Sequence, residues 1–210
     1  MEDKETKRNT RQKIFEAAAG LFANKGYSGV SMREIASKAG IKESSIYNHF
    51  HSKEDILDSL LNYFSENMAN YRPSIEEVNK LLDFMTPEEV FKQIIISFGR
   101  NLNGILDHVA RLVFTEQFRN EKAKELMLEK MIAEPSRYIE DILKIMAGKK
   151  LIRDINAGLF AAEYNYALLA ITFEYAHAVN SGEATGPIIA KMFRHVAFFC
   201  EYLKTEYVNI

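Results

Sequence analysis

Along the chain, apolar residues recur at helical spacing between short polar breaks, and no strand-like alternation of any length interrupts them. Ile14, Ala17, Ala18, Leu21 and Phe22 form a first stripe, predicting a helix capped by Thr10 and running to Lys25, with Gly26 as its stop. Residues 1–9 are almost wholly polar and are expected to fray. Tyr27 and Val30 are expected to plug the base of this region. Ser31 and Glu34 make a Ser-x-x-Glu capping box for a short helix that Gly40 ends, and Ile41 packs back into the angle. A second short helix, about Lys42 to His49, sets one apolar pair, Ile46 and Phe50, on a polar body. Such a pair, joined by a tight turn, can hold one helix across a nucleic-acid backbone and lay the next in the major groove.

Ser52 to Asp55 opens the next helix as a capping-box variant. Its stripe (Ile56, Leu57, Leu60, Leu61, Phe64, Met68, Tyr71) reaches Arg72-Pro73, about 30 Å at the helical rise. A helix of that reach would tie the N-terminal unit to the body as a rigid lever. A short helical piece follows near Ile75 to Phe84. Thr86-Pro87-Glu88-Glu89 then starts a helix through Val90, Phe91, Ile94, Ile95, Phe98 and Leu102, with a break expected near Gly104. Ile105 to about Asn120 reads as one helix. Glu121–Ala133 and Ser136–Met146 read as two more, separated at Pro135. Asn156 to Val179 is the most apolar segment, and a helix apolar on nearly all sides is expected to be buried on nearly all sides. Pro187 starts the last helix, whose apolar face runs from Ile189 to Tyr207. The fold class is therefore all-α, with about nine or ten helices. An N-terminal three-helix unit with the helix-turn-helix, residues 1–55, precedes a C-terminal helical region, residues 56–210.

Charge sharpens this division. The chain carries a net −2, yet from Arg8 to Lys53 eight basic residues face three acidic ones, a local +5 that leaves −7 on the remainder. A basic head on an acidic body fits a polyanion partner at one end only. The single cysteine, Cys200, forbids an internal disulfide and falls on a helical apolar face, as a small core residue would. The first twenty residues lack a signal-peptide core and no apolar run reaches membrane-spanning length, so the expected location is cytoplasmic and no membrane partner is expected.

Gly26-Tyr27, then Ser31-x-Arg33-x-Ile35-Ala36-x-x-Ala39-Gly40-Ile41, then Ile46-Tyr47-x-His49-Phe50-x-Ser52-Lys53-Glu54, resembles the N-terminal signature of the tetracycline-repressor (TetR) family. The resemblance covers roughly residues 10–55. Ser44 stands where family members often carry glycine. The resemblance implies an N-terminal helix-turn-helix DNA-binding domain, residues 1–55, a C-terminal helical ligand-binding and dimerisation domain, residues 56–210, and a ligand-responsive transcriptional regulator, most simply a repressor released from a palindromic operator by a small apolar or aromatic effector. It also implies a homodimer through the last two helices, which in that family pair across a two-fold axis into a four-helix bundle.

Residue types divide the DNA contacts. Tyr47 and His49, at the end of the second helix, and Lys53, at the start of the lever, suit phosphates, as do Ser31, Arg33 and Lys42. Ser44, Ser45 and Asn48 suit base edges, asparagine matching adenine. Phe64, Met68, Phe98, Gln117 and Tyr166 are the candidate effector contacts, in a pocket expected between the lever and the helices after Thr86. Glu174 and His177, three apart, are expected to pair or to meet a ligand, and His108 reads as a polar core or surface residue. No metal is expected, because His49 and His51 cannot share a helix face. No catalytic motif and no cofactor signature appear. The rival reading is a helical protein-interaction module whose helix-turn-helix is structural.

Overall fold

The computed structural model describes residues 2–101 and 104–204, with side chains from 9 to 99 and from 104 to 204. Arg8, Leu102 and Tyr207, each given a role above, lie outside these described side chains. Eleven α-helices, and no strand, occur among the described residues. They fall into two compact units, and neither is a continuous stretch of chain.

The first unit takes residues 1–69 and 102–127. It holds α1 (Glu2–Lys25), α2 (Met32–Ala39), α3 (Glu43–Ile46), α4 (Lys53–Asn67), α7 (Ile105–Glu116) and α8 (Glu121–Leu126). The first helix starts eight residues before Thr10, which therefore lies inside it and is not a cap. Ile14, Ala18 and Phe22 of α1, Ile35 of α2, Ile46 and Phe50 beside α3, and Ile56, Leu60, Leu61 and Phe64 of α4 are fully buried. Helix α7 joins the same core through Leu106, Val109, Leu112 and Val113 and packs along both α1 and α4. Helix α4 has 15 residues and passes into a 3-10 turn at Met68–Tyr71. The lever is therefore about 22 Å of α-helix, shorter than its apolar stripe.

The second unit takes residues 70–101 and 128–210. It holds α5 (Ile75–Leu81), α6 (Pro87–Asn101), α9 (Glu134–Gly148), α10 (Ala157–Ser181) and α11 (Gly186–Leu203). The Thr86–Glu89 capping box forms as expected, with the Thr86 N–H donating to Glu89 at 2.8 Å and the Glu89 N–H to Thr86 at 3.3 Å. The core gathers around Tyr164 of α10, whose ring meets Phe91 of α6 at 5.1 Å, and Phe199 and His195 of α11 at 5.0 and 4.9 Å. Cys200 lies in the same core, and burial pushes its thiol up to about 12.

Two expectations for this unit are corrected. The chain does not break at Pro135. A π-helical segment, Met127–Ala133, leads directly into α9, with the proline in its first turn. Proline has no N–H for the carbonyl four residues back, that of Met131. Asn165, 6% exposed, supplies the replacement: its amide donates to the carbonyls of Ile132 at 3.2 Å and Met131 at 3.5 Å, and the Ser136 hydroxyl adds a bond to Ile132 at 2.8 Å. Nor is α10 buried on nearly all sides. Leu159 and Tyr166 are 56% and 53% exposed, and Glu174 pairs with Lys191 of α11 rather than with His177.

Candidate nucleic-acid interface

The head is built by local caps. Ser31 accepts from the Glu34 N–H at 3.3 Å, and Glu34 accepts from the Ser31 N–H at 2.9 Å. Glu34 also takes the Lys25 ammonium at 2.8 Å, fastening the end of α1 to the start of α2. These donors, Lys25 foremost and then Ser31, hold the Glu34 carboxyl down to about 2. Gly40 closes α2 at φ +71°, a left-handed turn that only glycine enters without cost, and Ile41 returns its N–H to Ala36 at 3.0 Å. Gly29 is required for a different reason: a Cβ there would lie 2.6 Å from the Lys25 carbonyl oxygen.

Helix α3 has only four residues, with Lys42 as its N-cap, and Tyr47, Asn48 and His49 continue it as a tight turn. Lys42, Ser44, Tyr47 and Asn48 are exposed, Ser45 and His49 half-buried. Ile46 and Phe50, fully buried, hold this polar strip to the core. Arg33 of α2 is exposed, while Ser31 is engaged in its capping box. Arg11 of α1 stacks over the Phe50 ring at 4.7 Å, which brings a cation to the edge of the strip.

Lys53 departs from its expected setting. Its ammonium donates to the carbonyls of Tyr27 at 3.0 Å and Val30 at 2.8 Å, and lies 4.3 Å from the centre of the Tyr27 ring. In this structure it braces the loop between α1 and α2. The Tyr27 phenol is raised by burial and, in turn, by Glu54, Asp58 and Glu116.

Of the candidate effector contacts, Phe64 is fully buried and Met68 nearly so, in the first unit. Gln117 of that unit donates to the Phe114 carbonyl behind it at 2.9 Å. Phe98 is half-buried in the second unit, and Tyr166 is exposed there. His108 is half-buried, its ring 3.7 Å from the Cβ position of Gly20 on α1, and burial lowers its basicity. The one buried acid among the described residues, Glu116, was not singled out from sequence. The signal was available: it occupies the next place in the α7 stripe after Val109, Leu112 and Val113, where an apolar residue belongs. No helix among the described residues is long and apolar enough to cross a membrane.

Residues 14–60, which span α1 to α4, match the model for bacterial regulatory proteins of the tetR family. The chain is 30% identical over 147 residues, 68% of its length, to an uncharacterised HTH-type transcriptional regulator, YerO, of Bacillus subtilis. It is 38% identical over 74 residues, 35% of its length, to the HTH-type transcriptional repressor KstR2 of Mycobacterium tuberculosis. The chain spans 48% and 37% of the lengths of these two relatives. A crystal structure of a transcriptional regulator from Saccharomonospora viridis in complex with choline shares the fold, with a TM-score of 0.63 and 24% identity over 91% of this chain and 95% of that one. The head geometry, the matched segment and these relatives together make the chain a member of the TetR family of bacterial regulatory proteins.

Proposed function

We propose that this chain is a homodimeric transcriptional repressor that binds a palindromic DNA operator and releases it when a small apolar or aromatic effector binds. The observation that carries the reading is the strip of exposed polar side chains on and after α3 (Lys42, Ser44, Tyr47 and Asn48), held by a fully packed core in the basic part of the chain. Phosphates would be met by Arg33, Lys42, Tyr47 and His49, with Ser31 and Lys53 at the margins, and base edges by Ser44, Ser45 and Asn48. The working compartment in this reading is the cytoplasm.

Uncovered apolar surface supports the dimer. Leu159 and Tyr166, two helical turns apart on α10, are more than half exposed. Phe198 and Tyr202 on α11 stack edge to face at 5.0 Å and are 61% and 48% exposed. Paired across a two-fold axis, these residues would leave water, and two heads related by the same axis would read an inverted repeat. The choline complex of the Saccharomonospora viridis protein supports the capacity of this fold to take a small molecule. An effector that prefers the non-binding form by about 3 kcal/mol would weaken operator affinity on the order of 100-fold.

The test is capture of genomic fragments by the purified protein, including its own upstream region, followed by footprinting at two salt concentrations. The expected result is a protected inverted repeat whose affinity falls steeply with salt. No selective protection by refolded, ligand-free protein would overturn the reading and favour a helical interaction module.

A further inference from the structure

Glu116 is 4% exposed and sits at the C-terminal end of α7. Its carboxylate accepts the backbone N–H of Tyr27 at 3.1 Å, across 89 residues of sequence. The same oxygen lies 3.8 Å from where a Cβ of Gly26 would be, in contact with the turn that ends α1. At the other end of the same residue, the Tyr27 carbonyl accepts the Lys53 ammonium of α4 at 3.0 Å. Two helices thus grip one residue of the α1–α2 loop, α7 through its N–H and α4 through its C=O. That loop leads through Val30, 3% exposed, to Ser31, the cap of α2. The pose of α2 and α3 follows from where this loop is held.

A buried carboxylate is a costly way to serve one amide, and any apolar residue would fill the α7 stripe more cheaply. A carboxylate does supply a strong, directional acceptor at full side-chain reach. We propose that Glu116 is a positioning residue for DNA recognition: its hydrogen bond to Tyr27 makes α7 a structural part of the reading head and sets the pose of α2 and α3. This deepens the repressor reading and rests on it.

The test compares wild type with Glu116→Gln, Glu116→Asp and Glu116→Leu. Glutamine keeps the acceptor and the reach without charge, aspartate keeps the charge but falls one methylene short, and leucine keeps only volume. Each variant is measured for operator affinity by fluorescence anisotropy, for exchange of the Tyr27 amide by hydrogen-exchange NMR, and for its thermal midpoint. Glutamine is expected to bind within about two-fold of wild type. Aspartate and leucine are expected to lose operator affinity on the order of ten-fold, with faster Tyr27 exchange, even where the midpoint is unchanged. Should leucine fail to fold, the glutamine–aspartate pair decides. Aspartate binding as tightly as wild type, or glutamine as weak as aspartate, overturns the proposal. Wild type that protects no DNA overturns the repressor reading itself, whereas wild type that binds while all variants match it overturns only the role of Glu116.

Discussion

The head and the α10–α11 pair are unfinished in opposite senses. In the head Ile35, Ile46 and Phe50 of the helix-turn-helix are fully buried and Ile41 is half-buried, and what remains outward is Lys42, Ser44, Asn48 and Tyr47. On α10 and α11 the outward residues include Leu159, Tyr166, Phe198 and Tyr202. A polar remainder on the basic stretch of residues 8–53 suits a charged, hydrogen-bonding partner, and an apolar remainder suits another apolar surface. Each unit also buries one polar side chain among the described residues, Glu116 in the first and Asn165 in the second. Both serve backbone groups left over by the local fold, one in a loop and one beside a proline. The two surfaces therefore suit different partners in the proposed reading, while the two buried groups follow the same rule, that buried backbone atoms must be paired.

The strongest way to break this comparison is to make the apolar surface polar. Phe198→Glu with Tyr202→Glu removes two rings from each side of the proposed interface, at about 2 kcal/mol per ring. Sedimentation is expected to show dissociation to monomer at micromolar protein, with operator affinity lost and the head still folded. A double variant that stays dimeric would take α11 out of the interface.

Next in size is the buried amide. Asn165→Leu removes the side-chain donor of the Met131 carbonyl, leaves Ile132 only the Ser136 hydroxyl, and is expected to cost about 2 kcal/mol in urea unfolding followed by circular dichroism. An unchanged midpoint would mean that the π-helical segment finds its bonds without α10.

The polar strip is tested through DNA rather than stability. Asn48→Ala is expected to lose about 1–2 kcal/mol of discrimination at one base pair of each half-site, read from a set of operator variants. Lys42→Ala should weaken all sequences alike and lower the salt dependence by about one counterion per head. If both substitutions acted identically, the division into base and phosphate contacts would be wrong.

The smallest effect concerns pH. Glu34 has its carboxyl lowered in the folded head, so its stabilisation is present above the ordinary carboxylate range and is lost as pH falls from about 4.5 towards about 2. Glu34→Gln is therefore expected to lower the head's melting temperature slightly at pH 7 and to leave it unchanged near pH 2. An equal difference at both pH values would assign the effect to something other than the carboxylate.

How much could be read before folding follows from how far apart the partners lie. Ser31 and Glu34, Ser52 and Asp55, Thr86 and Glu89 are three residues apart, and Gly40 acts through its own φ, so these helix ends and the helix-turn-helix were legible in the chain. The apolar stripes likewise marked nearly every helix, because helical period is a local property. The stripe and the helix differ at two ends: α1 runs back to Glu2, ahead of its stripe, and a 3-10 turn shortens α4. What tertiary structure alone decided lies between residues far apart. The Tyr27 N–H meets Glu116 at a separation of 89, and the Met131 carbonyl that Pro135 leaves without an N–H meets Asn165 at 34, so Pro135 is absorbed instead of breaking the chain. Which faces of α10 the single chain covers was equally out of reach, since hydrophobicity states that a face prefers to leave water but not whether its own chain or another surface covers it. Local geometry is written in neighbouring residues, whereas the pairing of buried polar groups and the remainder of apolar surface are set only once distant segments pack.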